Sequence, residues 1–539
     1  MSAYQADVIV VGAGLAGLCA TLELLEKGRK VLLIDRDVEE NFGGLAKESF
    51  GGIFVVDSTE QRRAGFRDSP ELAWRDWVAF GELDQEQPHM AWPRRWARAY
   101  VERCNAEVYQ WVKARDVKFV PVPHWIERGQ FTPGNSGPRF HIVWGAGHGL
   151  IDGLLNALTT HPLRNNLSVQ FGHRVEQLLS HDGHVTGCEG HREGSDESFS
   201  AGAGAVIIAT GGMNGSIERI RQHWHADWGT PPETILTGSH KYADGLLHDA
   251  VAGVGGRLTH LDRNWNYAAG VHHWNPRKPH HGLSLVPPRS ALWLNWRGER
   301  IGPQPLVTGF DTRDLVTQVC KQERKYSWQV LNRRILEKEF AISGSEFNRS
   351  VRDKNWPRFI RELLFGNKAL AGEVIANCQD VVTAHTLPEL VDKMNTLHGD
   401  ESVSLATVQT IVENYDAQID RGQTFHNDEQ LRRIAYLRQW KGDRLRTCKF
   451  QKIVDQKAMP LVAIREFIVC RKSLGGMQND LDGRVLDLQG RPIAGLYAAG
   501  EATGFGGGGM NGLRALEGTF LGGCIFSGRL AGQHAAASS

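Results

Sequence analysis

Asp7-Val-Ile-Val-Val-Gly12-Ala13-Gly14-Leu15-Ala16-Gly17 decides the fold of this 539-residue chain. An apolar run delivers the backbone to a turn with no room for side chains, and a helix is expected from about Leu15. Gly12 permits the turn, Gly14 lets backbone approach a phosphate, and Gly17 lets the helix pack against its strand. Exposed amides and the positive helix end then face an anion. A second apolar run at 30–34 presents Asp35, followed by Arg36, about 20 residues past the glycines, where a carboxylate can accept from ribose hydroxyls. Strand, glycine turn, helix and acid at this spacing predict a dinucleotide site.

Working outward, Gly495-Leu-Tyr-Ala-Ala-Gly500-Glu501-Ala-Thr-Gly504 near the other end reads as the second half of the same signature. The two halves together point to FAD. A further close backbone approach is expected at Ala209-Thr210-Gly211 after the apolar strand 205–209. Val175, in a strand over 174–179, and Asp244, before a helix, complete the expected cofactor contacts. A small-residue helix over 518–531 would begin at Gly518-Thr519, where its N-terminus can face an anionic ring edge.

Composition excludes several partners. The 62 basic and 61 acidic residues leave a net charge of +1, so no strong field draws the chain to nucleic acid or to an anionic membrane. No apolar run approaches the roughly 18 residues of a membrane span, and the start lacks an export leader, which makes the cytoplasm the expected location. Eight cysteines are scattered singly, without metal-site spacing, so no metal is expected. The pairs His272-His273 and His280-His281, set among Pro, Asn and Gly, read as surface loops. Tryptophans crowd 69–144, with helical spacing between Trp92 and Trp111, and read as core filler packed over the nucleotide unit. Only the final alanine-serine tail reads as disordered.

As an ordered set, these motifs, together with Gly43-Gly44, Lys47, Ser49 and Gly51-Gly52, resemble the flavoprotein superfamily of fumarate reductase, succinate dehydrogenase, L-aspartate oxidase and the 3-ketosteroid dehydrogenases, and the resemblance implies cofactor contacts at Gly43, Gly44, Lys47, Ser49, Gly51 and Gly52. The resemblance implies an α/β fold: a Rossmann-like, glutathione-reductase-like FAD-binding domain with an inserted α+β capping domain. The expected divisions are 1–259 for the first part of the FAD domain (with the Trp-rich helical insertion), 260–452 for the cap, and 453–539 for the return segment. It also implies redox at a flavin, without a nicotinamide partner. Some members attach FAD through a histidine in the segment equivalent to 43–52; that segment offers none here, so non-covalent FAD is expected.

The resemblance further proposes catalytic residues. Asp311-Thr312-Arg313-Asp314 is similar to the stretch whose arginine delivers a proton in fumarate reductases, and Arg514, Arg471, Tyr267 and Arg289 fall near other substrate-binding positions. Hydride and proton would pass to or from neighbouring carbons of a C–C bond beside a carbonyl or carboxylate. Val286 replaces the glutamate of the fumarate-type proton relay, a departure that puts such a relay in doubt. Arg313, Arg471 and Arg514 favour a small carboxylate; Tyr267 and the aromatic-rich chain favour a 3-ketosteroid. Against the steroid stands the loop 506–511, where steroid enzymes carry a proline-glycine-rich turn. An amine or amino-acid oxidase, or a purely structural flavin, are the remaining alternatives. The substrate is a small molecule, and electrons must pass to or from a separate, unidentified partner.

Overall fold

A computed structural model describes residues 2–83 and 87–538. Two large sheets organise it. The first, of ten strands among the described residues, has at its centre Pro492–Ala498, Ala205–Ile208, Val8–Val11, Val31–Ile34 and Leu167–Gln170, side by side and all parallel. Val8–Val11, Val31–Ile34 and Ala205–Ile208 are apolar at every position and buried throughout, as strands covered on both faces must be. The helix Leu15–Glu26 packs on this sheet together with Thr519–Ser538. The nucleotide unit thus has the expected order, with strands from near both ends of the chain meeting in one sheet.

The second sheet, of eight strands, is built around Leu461–Ser473, which pairs with Asn264–His272, Tyr326–Asn332, Val381–Ala384 and Ile235–Thr237. Helices of the intervening segment pack on it, among them Thr312–Cys320, Arg333–Glu339 and Leu387–His398. The segment assigned to the return from 453 therefore opens with the central strand of the second sheet. It rejoins the first sheet after Ser473, at Arg484–Leu486.

The tryptophan-rich segment forms Pro70–Gly81 and Ala91–Cys104, the latter running into a π-helical turn over Asn105–Gln110. Trp77 and Trp96 are fully buried and donate to the carbonyls of Met510 and Asn479 at 3.0 and 3.2 Å. A methyl group on Gly506 would stand 2.6 Å from the Trp96 ring, so packing of this ring requires the glycine there.

Two local expectations are corrected. The alanine-rich tail is helical to Ser538, because alanine is the best helix former and Ala535 and Ala536 are buried; the Ala536 carbonyl also accepts from Arg29 at 2.5 Å. His272 ends a strand and His273 is buried, its ring 4.4 Å from that of His281, rather than lying in a surface loop.

Candidate active site

A first cavity of about 230 Å³ runs along the C-terminal ends of the parallel strands, where Gly12, Gly14, Leu15 and Ala16 line it beside Asp35 and Arg36. Gly12 has φ +104°, and a methyl group there would stand 2.4 Å from the Ala209 carbonyl oxygen, so only glycine serves. Gly14 faces open space instead, as a backbone that must admit a phosphate should. Gly17 does not line the cavity; a methyl group on it would stand 1.9 Å from the Gly12 carbonyl oxygen, so its part is helix packing. Ala13 also stays off the wall, and its N–H donates to Asp35 Oδ2 at 2.6 Å. The other carboxylate oxygen accepts from Asp37 N–H at 2.7 Å. Each oxygen keeps a second lone pair for a hydroxyl.

Gly43, Gly44, Ser49, Gly51, Gly52, Val175, Ala209, Thr210, Gly211, Asp244, Glu501 and Gly518 line the same cavity. Arg36 bridges Glu193 and Asp244, each at 2.7 Å, and lies 4.3 Å from the centre of the Tyr242 ring. Three expected contacts are placed otherwise. Lys47 donates to the Glu40 carbonyl at 2.8 Å, Thr519 donates to Asn511 at 2.9 Å, and a methyl group on Gly500 would meet Ala16 at 2.8 Å. None of these three lines the cavity.

The wall fits FAD on its own evidence. Ser239 Oγ and His248 Nε2 are buried on it without a protein partner, as groups awaiting a polar ligand would be. Burial pushes the Glu501 carboxyl up to about 7, although it accepts from Ser473 N–H at 2.9 Å.

A second cavity, of about 210 Å³, adjoins the first, and Phe50, Phe140, Tyr267, Ser343 and Glu517 line both. Its other walls are largely apolar: Ile126, Ala268, Ala269, Leu285, Pro287, Trp293, Leu315 and Ile342. At the junction Tyr267 Oη donates to Glu517 Oε1 at 2.5 Å, Trp265 Nε1 donates to the same oxygen at 2.9 Å, and Lys472 Nζ donates to Tyr267 Oη at 3.3 Å. Burial raises the Tyr267 phenol well above its ordinary value, and the Glu517 carboxylate adds to this. Burial likewise pulls the Lys472 ammonium down to about 8. A phenol, a carboxylate and a weakened ammonium thus meet where the two cavities meet.

The expected arginines separate. Arg471 lines the first cavity, and its Nε is buried without a partner. Arg289 lines the second, bound to Asp443 at 2.6 Å and to Thr447 at 2.7 Å. Arg313 and Arg514 line neither cavity. Arg313 sits 5.0 Å over the Trp228 ring and pairs with Asp227 at 3.1 Å, while Arg514 pairs with Asp311 at 3.0 Å and with Glu82. Helix geometry explains Arg313: its neighbour Thr312 faces the cavity, and adjacent helical positions point apart by roughly 100°.

The residues missed from sequence are Glu517, Lys472, Trp265 and Glu127. Glu517 immediately precedes Gly518 and Lys472 follows Arg471, so adjacency to recognised positions was the available signal. Glu127, a fully buried carboxyl held by Thr312 N–H at 3.1 Å, has none.

The family model described as an FAD binding domain matches residues 7–521. A KsdD-like steroid dehydrogenase of Mycobacterium tuberculosis is 41% identical over 551 residues, spanning 98% of this chain and 96% of that protein. Another, from Mycolicibacterium smegmatis, is 40% identical and spans 96% of each. A solved 3-ketosteroid Δ1-dehydrogenase from Sterolibacterium denitrificans shares the fold with a TM-score of 0.71 at 17% identity, over 99% of this chain and all (100%) of that one. The open conformation of a flavocytochrome c3 fumarate reductase does so at 0.67 and 20%, over 99% and 78%. The chain belongs to the FAD binding domain family and is an FAD-dependent oxidoreductase.

Proposed function

We propose that this enzyme dehydrogenates, or in reverse reduces, a C–C bond beside the carbonyl of an apolar ketone, with Tyr267 as the proton-transferring residue. The observation that carries this reading is the Tyr267–Glu517 pair at the junction of a nucleotide cavity and an apolar one. FAD would be held by the turn at Gly12–Gly14, Asp35, the segment 43–52, Ala209–Gly211 and Glu501, and when bound it supplies hydride acceptor and donor chemistry.

The chain's own part is the proton. As a carbon beside the carbonyl loses its proton, Tyr267 Oη takes it and releases its own phenolic proton along the existing hydrogen bond to Glu517 Oε1. A tyrosine pushed above its ordinary value is a poor free anion, so passing the proton on keeps the phenol neutral throughout. Lys472 Nζ, donating to Tyr267 Oη, holds that oxygen in position for the transfer. The apolar walls exclude water from the carbon centre. Reduction runs the relay backwards, from Glu517 through Tyr267 to carbon.

The disposition of the arginines supports an apolar ketone over a small dicarboxylate. A fumarate-type substrate needs several guanidinium forks at the reacting bond; Arg313 and Arg514 are both committed to ion pairs outside the cavities, which leaves Arg471 alone of the three on a cavity wall. The names of the two mycobacterial relatives support the same class. Among the described residues no helix is long and apolar enough to cross a membrane, and we place the electron partner outside this chain. Anaerobic mixing with 4-androstene-3,17-dione or its saturated counterpart tests the reading through the flavin absorbance. Bleaching by the saturated ketone, or reoxidation of reduced enzyme by the unsaturated one, is expected. Indifference to both, alongside turnover of a dicarboxylate, would refute it.

A further inference from the structure

We infer that the second cavity also carries a carboxylate-binding subsite at Arg446, so that the substrate is an apolar ketone bearing a separate acidic group. The inference rests on the apolar-ketone reading above and names its substrate more closely.

Arg446 ends the helix Lys441–Arg446 and lines the second cavity together with Arg289, Asp443, His124 and Glu339. None of these five belongs to the first cavity, so they stand apart from the Tyr267 junction. Both acidic neighbours are already engaged. One oxygen of Asp443 accepts from Arg289 at 2.6 Å and the other from Arg128. Glu339 accepts from Ser290 N–H at 3.0 Å, Ser290 Oγ at 2.7 Å and Cys448 N–H at 2.7 Å.

Arg446 has no carboxylate within 4.0 Å among the described residues, whereas Arg128, Arg289 and Arg300 on the surrounding elements each have one. Burial and the nearby Arg289 guanidinium weaken its hold on the proton, and Asp443 and Glu339, both hydrogen-bonded to other donors, offset this only in part. Burial likewise takes His124 down to about 4, so it stays neutral and neither competes with Arg446 nor pairs with it. A half-buried guanidinium with no carboxylate in contact is incompletely compensated, and a ligand carboxylate would supply the missing partner. The fork geometry of arginine suits this bidentate pairing.

The test is binding to oxidised holoenzyme, read from the flavin difference spectrum. The probes are 3-oxo-4-androstene-17β-carboxylate and 4-androstene-3,17-dione, which share the ring ketone and differ in the acid. Wild-type enzyme is expected to bind the acid more tightly than the dione. In Arg446→Met the ratio of the two dissociation constants should shift against the acid by about 10-fold or more, the loss of one charge-assisted pair. Arg446→Lys, which keeps the charge, should stay nearer the wild-type ratio. Arg444→Met removes the same charge from an exposed position of the same helix and should leave the ratio alone. Arg446→Gln replaces the Met variant if the latter fails to retain FAD. An acid that binds wild type more weakly than the dione overturns the subsite, as does an unchanged ratio in the Met or Gln variant. Silence of the flavin towards both steroids overturns the ketone reading as well, and is thereby told apart from failure of the subsite alone.

Discussion

The two adjoining cavities are built by opposite means. The first is shaped by backbone: glycines at 12, 14, 43, 44, 51, 52, 211 and 518 line it, and several hold positive φ or leave no space for a side chain. The second is shaped by side chains from separate segments, Ile126 from a loop, Leu285 from a strand, Pro287 from the loop that follows it, Leu315 from a helix and Ile342 from a short strand. A backbone-built cavity tolerates almost no substitution at its glycines, because the fold itself depends on them. A side-chain-built cavity can be recut without unfolding, which is how one fold takes different substrates around a fixed cofactor.

The comparison is attacked hardest at Gly12. Gly12→Val would drive its side chain into the Ala209 carbonyl at a φ that a β-branched residue does not adopt. Protein purified from this variant should carry no FAD, as the ratio of flavin to protein absorbance will show; a yellow, folded variant would break the account of the first cavity.

Tyr267→Phe probes the junction. FAD should be retained and substrate affinity little changed, while the rate of flavin reduction falls by about 10²–10⁴, the usual worth of a positioned acid-base group. Glu517→Gln should lower the same rate by a smaller factor, since Tyr267 keeps a hydrogen-bond partner that no longer takes the proton. Equal rates in wild type and Tyr267→Phe would remove the tyrosine from the mechanism.

Glu501 gives a pH signature confined to the first cavity. Its carboxyl is raised from 4.5 to about 7, so its contribution to folding is complete below pH 4.5 and is lost as pH rises through 7. Melting of the apoprotein against pH should show Glu501→Gln gaining on wild type across that interval, by on the order of 2 kcal/mol. A difference independent of pH would mean that the carboxyl ionises freely.

The smallest effect is expected at Arg313. Arg313→Ala loses a ring contact and an ion pair, worth about 1 kcal/mol of stability, and should change the catalytic rate less than any substitution at the junction.

This ordering tracks what was legible in the sequence. The Gly12 turn and Asp35 could be read directly, because phosphate approach and ribose recognition need particular residues at fixed spacing along one stretch of chain. The central parallel sheet followed from the same runs. The placement of Arg313 was not legible, because a matched tetrapeptide gives position along a helix and not the direction in which each side chain leaves it; Thr312 faces the cavity and Arg313 does not. Glu517, Trp265 and Lys472 come together only through tertiary packing of the strands Asn264–His272 and Leu461–Ser473 against the loop before Thr519, and no spacing in the chain records that meeting. The strand Leu461–Ser473 likewise carries nothing local to say which of two sheets it joins.

Anaerobic stopped-flow reduction of the bound flavin by a saturated 3-oxo steroid, compared across wild type, Tyr267→Phe and Arg313→Ala, tests the central claim most directly. The account predicts rapid bleaching in wild type and Arg313→Ala and near-silence in Tyr267→Phe with FAD still bound. Bleaching that survives in Tyr267→Phe and vanishes in Arg313→Ala would contradict it and return the proton to the arginine.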